Sequence, residues 1–381
     1  MPETVLCTIC FSDYYGAQRN VASTARSLDP SRYRTVVAAP HGDHFFRALQ
    51  QAGADTVELP FRNLFDSRTT LGIAAAARRH RASLIHAHLG ISTLLSLAAS
   101  RLAGGIPVIA TRHFVTDRYS TISSPLIYNA YRNMYKAMNR GLRKIIFVSE
   151  AARNSVAARE GPFAGRDTVI PNGVPIDGIP RRDRQSPAEL RQIRSSLGIP
   201  PDRFSVVSLS RLAPEKDLHT LLRAAAILEK KNGGFFFTIA GEGPMRDDLT
   251  RAAGDLHLRH CVNFTGFVLD KEPLLRSADA GVLCSSIDSF GISVLETMAA
   301  GVPTISALGG GPLEIISDNI NGLFFPPGDA QALASLLLRL RDDPPLAARL
   351  ADAGATRAQD FDERKVTARL MDLYDEVLGV K

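Results

Sequence analysis

The stretch that decides the fold is Ser285–Gly311, SSIDSFGISVLETMAAGVPTISALGGG. An apolar run at residues 280–286 is followed by a polar loop, a helix-forming segment that begins at about Ser293, and a second apolar run after a Gly-Val-Pro turn. Strand, loop, helix and strand in this order predict one βαβ unit. The unpaired N–H groups of a helix N-terminus attract phosphate. The stretch therefore predicts an anion site where the loop meets the helix.

Two acids lie in this stretch, Asp288 in the loop and Glu296 in the helix, with seven residues between them. Their carboxylates can accept hydrogen bonds from hydroxyl groups, while the backbone of Gly291, Ile292 and Ser293 can face a diphosphate. Sugars and riboses present such hydroxyl groups. Taken alone, each acid is explained equally well as a turn cap or as a solvated helix residue; taken together, the run favours a binding site.

The run DSFGISVLETMAAGVPTI, which begins at Asp288, resembles the acidic motif of glycosyltransferase family 4. In that motif two Glu residues are separated by seven residues that include Phe-Gly. This sequence has Asp288 in place of the first Glu, one methylene shorter. The resemblance implies that Glu296 binds the ribose of a nucleotide sugar. It also implies that Asp288 and the backbone of residues 290–293, from Phe290 to Ser293, bind the donor sugar.

A second motif, at residues 210–217, reads SRLAPEKD. Arg211 and Lys216 lie five residues apart across a Pro-containing turn, so the Arg fork and the Lys point charge can converge on one diphosphate. The motif resembles the diphosphate clamp of the same family. Cations at this place would stabilise the charge that gathers on a departing nucleoside diphosphate. Two solvated basic residues are the alternative.

Three further positions match the donor site of the family. Gly241 and Gly243 follow a predicted strand in the order Gly-x-Gly-Pro, a weak dinucleotide signal by itself because it lacks a third Gly. Val268 lies in Thr265-Gly266-Phe267-Val268, which resembles the turn that contacts the nucleobase. Because backbone groups make such contacts, they do not identify the base.

Two candidates lie in the first half of the chain. Gly16 follows the first predicted strand, in a loop at residues 13–20 where the family has Gly-Gly-Ala-x-Arg, and Tyr15 replaces the first of those glycines. On its own, Gly16 is equally consistent with an ordinary turn. His113 ends the fifth predicted strand, and the matching histidine of the family lies beside the donor sugar. The resemblance therefore implies that His113 holds a sugar hydroxyl group in the reaction pocket.

The rest of the chain alternates short apolar strands with helix-forming segments over 381 residues, 45% of them hydrophobic. This pattern predicts two doubly wound, Rossmann-like α/β domains. We place them at residues 1–175 and 176–361, joined by a linker rich in Pro and Arg, and the pattern at residues 311–318 predicts a helix. The resemblance implies a GT-B enzyme with the two domains facing a cleft, and a last helix, at about residues 362–381, that crosses back onto the first domain.

The positive charge is concentrated in the first half. Residues 1–175 hold 21 Lys and Arg against 11 Asp and Glu, a net charge of +10, whereas residues 176–381 carry −4. Anionic lipid, an anionic acceptor or nucleic acid would each explain this asymmetry. Nucleic acid is disfavoured because the sequence contains no recognised binding module.

The segment Ser124–Lys144 carries much of this charge. Along it, apolar side chains recur at three and four residues and cations lie between them: Tyr128, Tyr131, Met134, Tyr135 and Met138, with Arg132, Lys136, Arg140, Arg143 and Lys144. Such an amphipathic helix suits an anionic membrane surface. A helix packed on the first domain through its Tyr and Met stripe is equally consistent.

No metal or cofactor is expected. The two histidines His86 and His88 share a strand face, but a third ligand is not evident, and His86 is better explained as a core histidine. Cys7 and Cys10 have the spacing of a metal half-site but point to opposite faces of a strand. No Asp-x-Asp motif occurs in a suitable loop. The sequence has no long apolar stretch and no signal peptide, so we expect a cytoplasmic protein, or one attached peripherally to the inner face of the plasma membrane.

Together these features predict an enzyme, a retaining, metal-independent glycosyltransferase. It would use a UDP-sugar or a GDP-sugar and act on a cell-envelope glycan, a lipid-linked acceptor or a small molecule. Two alternatives stay open. A nucleotide-sugar 2-epimerase shares the two-domain architecture and needs no acceptor, and a non-catalytic binder of nucleotide sugars would fit the departures at Tyr15 and Asp288.

Overall fold

The computed structural model describes residues 2–12, 15–113, 123–231 and 233–380. Residues 13 and 14 of the predicted loop before Gly16 lie outside this set. The chain divides into two compact units, one formed by Met1–Gly173 with Glu363–Lys381 and the other by Val174–Asp362. The sequence predicted residues 1–175 and 176–361 for the two domains.

The described part of the first unit contains a seven-stranded parallel sheet in the order β3-β2-β1-β4-β5-β6-β7. Its strands are β1 (Glu3–Ile9), β2 (Tyr33–Ala39), β3 (Asp55–Glu58), β4 (Leu84–His88), β5 (Val108–Arg112), β6 (Lys144–Phe147) and β7 (Asp167–Val169). Its helices are α1 (Gly16–Ser27), α2 (Asp43–Gln51), α3 (Ser67–Arg79), α4 (Gly90–Leu102), α5 (Pro125–Gly141) and α6 (Glu150–Glu160). The central strands β1, β4 and β5 are buried on both faces apart from the first residue of β1, and apolar residues therefore lie on both faces of each strand.

The second unit contains a six-stranded parallel sheet in the order β10-β9-β8-β11-β12-β13. Its strands are β8 (Phe204–Leu209), β9 (Phe235–Ala240), β10 (Val262–Gly266), β11 (Ala280–Leu283), β12 (Thr304–Ala307) and β13 (Leu323–Phe325). Its helices are α7 (Pro187–Ser196), α8 (Leu218–Lys231), α9 (Arg246–Asp255), α10 (Glu272–Ser277), α11 (Ile292–Ala299), α12 (Ala330–Asp342) and α13 (Pro344–Ala358). Two doubly wound α/β domains confirm the predicted fold class.

The strand order determines where the ligand-binding loops lie. In each sheet the order reverses beside the first strand, β1 in one unit and β8 in the other, and loops at the carboxyl ends of strands on either side of such a point form the usual ligand crevice. In the second unit Leu209 pairs with Ala240, so the chain leaves β8 and β9 at neighbouring positions. The loops that carry the predicted donor-site residues therefore start at the same edge of one sheet.

The last helix, α14 (Glu363–Leu378), belongs to the first unit. The Glu363 carboxylate accepts hydrogen bonds from Ser23 Oγ at 2.6 Å and from Arg26 Nε at 3.0 Å, both on α1. Tyr374 is fully buried, and its hydroxyl group lies 2.7 Å from Nδ1 of His86 on β4. These contacts attach the end of the chain to the first sheet and to its first helix.

The predicted helix at residues 311–318 is wrong. The structure has only a short 3-10 helix, Gly311–Glu314. Gly311 lies so close to the loop before α11 that a Cβ there would be 2.3 Å from Cα of Phe290. The N–H of Gly311 also donates to the backbone oxygen of Asp288 at 2.8 Å, and this contact holds the segment as a tight turn against that loop.

Among the described residues, no helix is both long enough and apolar enough to cross a bilayer.

Candidate active site

The loop between β11 and α11 ends in a glycine with a left-handed backbone. Gly291 has φ 99°, and a Cβ there would lie 3.1 Å from Cγ of Pro312. Ile292 and Ser293 form the first turn of α11 and are half-buried, whereas Phe290 is buried. The N–H groups of a first helical turn have no partner within the helix, so this corner offers hydrogen-bond donors and a positive dipole end to an anion.

Asp288 is held by its own loop and by Lys216. Its Oδ1 accepts a hydrogen bond from the N–H of Phe290 at 3.1 Å, and its Oδ2 accepts one from Nζ of Lys216. Burial disfavours the charged carboxylate, but the Lys216 ammonium and the N–H groups of Phe290 and Gly291 outweigh burial and lower the pKa of Asp288 below its usual value. The structure thus brings together a predicted sugar ligand and a predicted diphosphate ligand.

The two predicted phosphate-binding cations lie at one tight turn, a 3-10 helix at Pro214–Lys216. Arg211 precedes this turn and Lys216 is its last residue. Arg211 forms an ion pair with Glu215, whereas Lys216 pairs with Asp288. The Ser285 hydroxyl group donates to the backbone oxygen of Glu215 at 2.7 Å, which joins this turn to the loop after β11. A diphosphate that binds here has to compete with Glu215 for Arg211 and with Asp288 for Lys216.

The predicted glycine pair packs directly on the clamp. A Cβ on Gly241 would lie 1.9 Å from the backbone oxygen of Ser210, and one on Gly243 would lie 2.3 Å from that of Leu212. The N–H of Gly241 donates to the backbone oxygen of Gly266 at 2.8 Å. These glycines therefore let three loops, after β8, β9 and β10, approach each other through their backbones. Val268 lies in the last of these loops and is half-buried.

Glu296 lies inside α11, and 3% of its surface is exposed. Its carboxylate contacts Nζ of Lys271, at 3.1 Å from Oε2 and 3.3 Å from Oε1. Lys271 was not predicted from the sequence. The only sequence signal was a cation three residues after Val268. Its contact with Glu296 becomes evident only from the fold.

In the first unit, His113 follows β5 and is buried. Its Nε2 lies 2.9 Å from Nδ1 of His88, and the two rings stack with their centroids 5.2 Å apart. Burial lowers the pKa of His113 to about 3 and lowers that of His88 well below its usual range, with the neighbouring imidazoles as a further cause for His88. Both rings are therefore neutral at pH 7, so one nitrogen of the pair donates and the other accepts. An imidazole with so low a pKa is a weak base, so His113 suits hydroxyl binding better than proton abstraction.

His86 is a core histidine, as expected. Its Nδ1 lies 2.7 Å from the Tyr374 hydroxyl group and its Nε2 lies 2.7 Å from Oγ1 of Thr111, and burial lowers its pKa to about 3. Cys7, His86 and His88 offer ligand atoms within 4.8 Å of one another. Since both nitrogens of His86 are already hydrogen-bonded, a metal here would have to displace one of those bonds.

Gly16 is the first residue of α1, and Tyr15 stands before it as the N-cap. The Tyr15 backbone oxygen accepts a hydrogen bond from the N–H of Arg19 at 2.8 Å. The structure places Gly16 at a helix N-terminus. The family resemblance implies that the backbone at this helix start contacts the ligand. His113 and Gly16 belong to the first unit, and the other predicted site residues to the second.

Comparison with known proteins identifies the family. A model described as glycosyltransferase family 4 matches residues 14–177, and one described as glycosyl transferases group 1 matches residues 190–357. A GDP-mannose-dependent alpha-(1-6)-phosphatidylinositol monomannoside mannosyltransferase of Mycobacterium tuberculosis is 31% identical over 276 residues, which cover 70% of this chain and 69% of that protein. This chain belongs to glycosyltransferase family 4.

A second relative of this glycosyltransferase is matched over a shorter length. The lipopolysaccharide core biosynthesis glycosyltransferase LpsD of Rhizobium meliloti is 34% identical over 183 residues, 48% of this chain and 52% of that protein. The match therefore spans about half the length of LpsD. Among solved structures, Anabaena HepE in complex with UDP-glucose aligns with a TM-score of 0.85 at 22% identity, over 98% of this chain and 99% of that one. The likeness to HepE confirms the GT-B fold.

Two further contacts of the glycosyltransferase, besides that of Lys271 with Glu296, were not predicted from its sequence. His88 hydrogen-bonds His113 because β4 pairs with β5 in parallel, which places the ends of the two strands side by side. Phe361, in a 3-10 turn after α13, packs edge-on against Phe290 with ring centroids 5.7 Å apart. The pairing of β4 with β5 could have indicated the contact between His88 and His113. No local sequence pattern indicates the contact between Phe290 and Phe361.

Proposed function

We propose that this glycosyltransferase transfers a sugar, with retention at the anomeric carbon, from a UDP-sugar or a GDP-sugar to a cell-envelope glycan, a lipid-linked acceptor or a small molecule. The observation that carries the proposal is the ion pair between Lys216 and Asp288 beside the N-terminus of α11. A cation for phosphate, an acid for sugar hydroxyl groups and the first turn of a helix meet within one loop system.

The family resemblance supports a role for each site residue in this proposal. Arg211 and Lys216 neutralise the diphosphate and stabilise the charge that develops on it as the glycosidic bond breaks. Glu296 binds the ribose. Asp288 and the backbone from Phe290 through Gly291 and Ile292 to Ser293 bind the donor sugar. Gly241, Gly243 and Val268 contact the nucleotide. In the first unit, Gly16 and His113 are the proposed ligand-binding residues.

Relatives and structural neighbours support both donor classes. The name of the mycobacterial mannosyltransferase states GDP-mannose, and HepE was solved with UDP-glucose. The names of two relatives also support envelope acceptors: that of the mycobacterial mannosyltransferase includes a phosphatidylinositol mannoside, and that of LpsD includes the lipopolysaccharide core. Because the chain supplies its own cations at the diphosphate, the proposed reaction proceeds without a metal ion. Front-face attack by the acceptor, with the departing phosphate as the base, would give retention.

We also propose that the first unit meets an anionic membrane surface through α5, from the cytoplasmic side. Tyr135 and Met138 are buried, and Tyr128, Tyr131 and Met134 pack against them, so the Tyr and Met stripe serves the core of the unit. The exposed apolar side chains are at the start of the helix, where Leu126 is 81% and Ile127 48% exposed. These two residues and the cations that follow them form the proposed contact.

A thermal-shift screen of the purified protein against UDP-, GDP- and ADP-linked sugars, with and without EDTA, tests the donor proposal. A ligand that binds only the folded state raises the melting temperature according to its concentration relative to its dissociation constant. We expect a shift with one nucleotide class that EDTA leaves unchanged. A shift that EDTA abolishes would contradict metal independence, and no shift with any donor would favour the non-catalytic alternative.

Incubation of the binding donor with candidate acceptors then separates transfer from epimerisation. Transfer releases the nucleoside diphosphate and gives a glycoside whose anomeric configuration matches that of the donor, which NMR of the product reads directly. Release of a free altered sugar nucleotide without an acceptor would identify the 2-epimerase alternative.

A further inference from the structure

A glutamate, a histidine and a cysteine meet at the surface of the second unit. Glu229, His260 and Cys261 offer ligand atoms that all lie within 4.8 Å of one another, and Nε2 of His260 lies 2.8 Å from Oε1 of Glu229. Carboxylate, imidazole and thiolate are the ligands that zinc takes in proteins. The group was not predicted from the sequence, because Glu229 precedes His260 by 31 positions.

The group lies at the amino ends of the strands of the second sheet. Glu229 is near the end of α8, which leads into β9, and Cys261 directly precedes β10. The proposed donor ligands instead follow β8, β9, β10 and β11, at the carboxyl ends of the strands. A metal ion bound by this group would therefore lie at the other end of the strands from the proposed diphosphate site.

Cys261 is the most firmly held member of the group, and it is 1% exposed. Its N–H donates to the backbone oxygen of Leu258 at 3.0 Å, and its own backbone oxygen accepts the N–H of Phe237 on β9 at 2.7 Å. The thiol donates to the Leu258 oxygen at 3.5 Å, a weak hydrogen bond that a metal can replace. The side chains of Glu229 and His260 are 30% and 50% exposed. They can therefore admit an ion from water and adjust to bonds of about 2.0–2.2 Å.

The charges in the group favour a divalent cation. Burial and the Glu229 carboxylate raise the pKa of the Cys261 thiol to about 11. A cation between the two groups reverses this effect, because it binds the thiolate and the carboxylate at once. As the ion binds, the thiol proton and the proton between His260 and Glu229 pass to solvent, so that all three side chains become ligands.

A second group of ligating side chains, Cys7, His86 and His88 in the first unit, is less suitable. All three residues are buried, and the two nitrogens of His86 are hydrogen-bonded to Tyr374 and Thr111. An ion would have to enter the core of that unit and displace one of these bonds. The group at the surface of the second unit is therefore the better metal site.

We propose that Glu229, His260 and Cys261 bind a zinc ion, with a water molecule as the fourth ligand. Three protein ligands and water complete the tetrahedral coordination that zinc prefers. The ion joins the end of α8 to the start of β10 and stabilises the second unit. It takes no part in sugar transfer, so this site is independent of the proposed function.

Titration of the full chain with Co²⁺ and then with Zn²⁺, after treatment with EDTA and its removal, tests the site. Co²⁺ bound to a thiolate has a strong charge-transfer absorption in the near ultraviolet, which Co²⁺ on nitrogen and oxygen ligands lacks. We expect this band to saturate at a single Co²⁺ per chain and to disappear when an equimolar amount of Zn²⁺ is added. Cys261→Ser should abolish the band, and His260→Asn and Glu229→Gln should each weaken zinc binding by at least about tenfold.

His219→Asn is the matched control and should bind both metals as wild type does. His219 contacts Asp248 at 2.8 Å, the distance at which His260 contacts Glu229, but among the described residues no cysteine completes that pair. Melting curves report whether each variant is folded. Since His260 is half-exposed, its variant tests the site without altering the buried thiol.

A wild-type protein without the charge-transfer band would overturn the proposal. A band that persists in Cys261→Ser and is lost in Cys7→Ser would also overturn it, because the metal would then lie in the first unit. Wild-type zinc affinity in His260→Asn or in Glu229→Gln would contradict the three-residue site. The thermal shift produced by a nucleoside diphosphate should be the same with and without zinc, and the absence of any such shift would contradict the proposed donor but not the zinc site.

Discussion

Asp288 is the residue at which the sequence departs from the acidic motif of its family, and the structure shows what the shorter side chain does. Its carboxylate reaches back to the N–H of Phe290, two residues later, while it pairs with Lys216. A Glu at this position carries its carboxylate one methylene farther from the backbone. The short acid is therefore bound to its own loop, which limits how far it extends toward a donor sugar.

We predict that Asp288→Glu changes which donor sugar is preferred. The longer side chain loses the local hydrogen bond to Phe290, which costs about 1 kcal/mol of stability, and gains reach into the sugar site. Values of kcat/KM for a panel of sugars on the preferred nucleotide measure the effect. Asp29→Glu is the matched control, because Asp29 accepts the N–H of Ser31 at 2.9 Å in an exposed turn. If both variants lose similar stability and donor preference stays unchanged, Asp288 is only a turn cap.

The buried imidazoles of the first unit predict a pH dependence of stability. Burial lowers the pKa of His86 and of His113 to about 3, while an imidazole in the unfolded chain titrates at about 6.5. Between these values the unfolded state binds more protons, so stability rises with pH by about 1.4 kcal/mol per unit for each imidazole. Stability is fully present above about pH 6.5 and is lost as the pH falls through the window below it.

Urea unfolding at pH 5 and pH 7.5 measures this loss of stability. His113→Asn should reduce the slope of the unfolding free energy against pH by the contribution of one imidazole. His219→Asn is the control, because its ring is partly exposed in the second unit and contacts Asp248 at 2.8 Å. Equal slopes for wild type and His113→Asn would show that the buried ring takes up a proton without unfolding.

At the scale of elements, α5 shows how far an amphipathic pattern can be interpreted. The periodicity of its Tyr and Met residues correctly indicated a helix with one apolar face, but it fitted a core-facing stripe and a membrane-facing stripe equally well. The structure places Tyr135 and Met138 in the core of the unit. Arg112, on the neighbouring strand, lies over the Tyr135 ring at 4.8 Å and hydrogen-bonds Asn139 at 2.9 Å, so α5 is attached beside His113.

We predict that the charge reversals Arg132→Glu, Lys136→Glu and Arg140→Glu together abolish binding to vesicles that contain anionic lipid. Each cation near such a surface contributes about 1 kcal/mol, so three removed cations weaken binding by about a hundredfold, and added salt should weaken wild-type binding as well. Vesicle flotation measures the bound fraction. The same reversals at Arg78, Arg79 and Arg81, which are exposed near the end of α3, control for net charge. Equal losses in both triple variants would mean that binding follows total charge and not α5.

At the scale of the whole molecule, the alternation of apolar strands and helices was sufficient to predict two α/β domains, because the central parallel strands are buried on both faces and helices connect most successive strands. The helix α13 was missed, since it begins at Pro344-Pro345, a sequence that usually interrupts helices but here forms a first turn. The site could be predicted only as single residues. Lys216 and Asp288 are 72 positions apart, and Lys271 and Glu296 are 25 apart, so nothing local shows that they meet.

The division into two units predicts two separable unfolding transitions. Each unit has its own sheet and core. The residues that we propose to bind the nucleotide on α11 and in the clamp lie in the second unit, whereas α14 lies in the first. We therefore expect differential scanning calorimetry to show that the preferred nucleoside diphosphate raises the midpoint temperature of only one of the two unfolding transitions, that of the second unit. A concentration 100 times the dissociation constant should add about 2.7 kcal/mol to that unit.

Tyr374→Phe should lower the midpoint temperature of the other unfolding transition, that of the first unit. It removes only a hydroxyl group, but it leaves Nδ1 of the buried His86 without its hydrogen bond, which costs about 1–3 kcal/mol. The nucleotide and the variant thus act on different units, and their effects should be independent when both are applied to one sample. If either change shifts both transitions equally, or if a single transition is seen throughout, the two units unfold as one cooperative body, and binding at the clamp is coupled energetically to the sheet that carries His113.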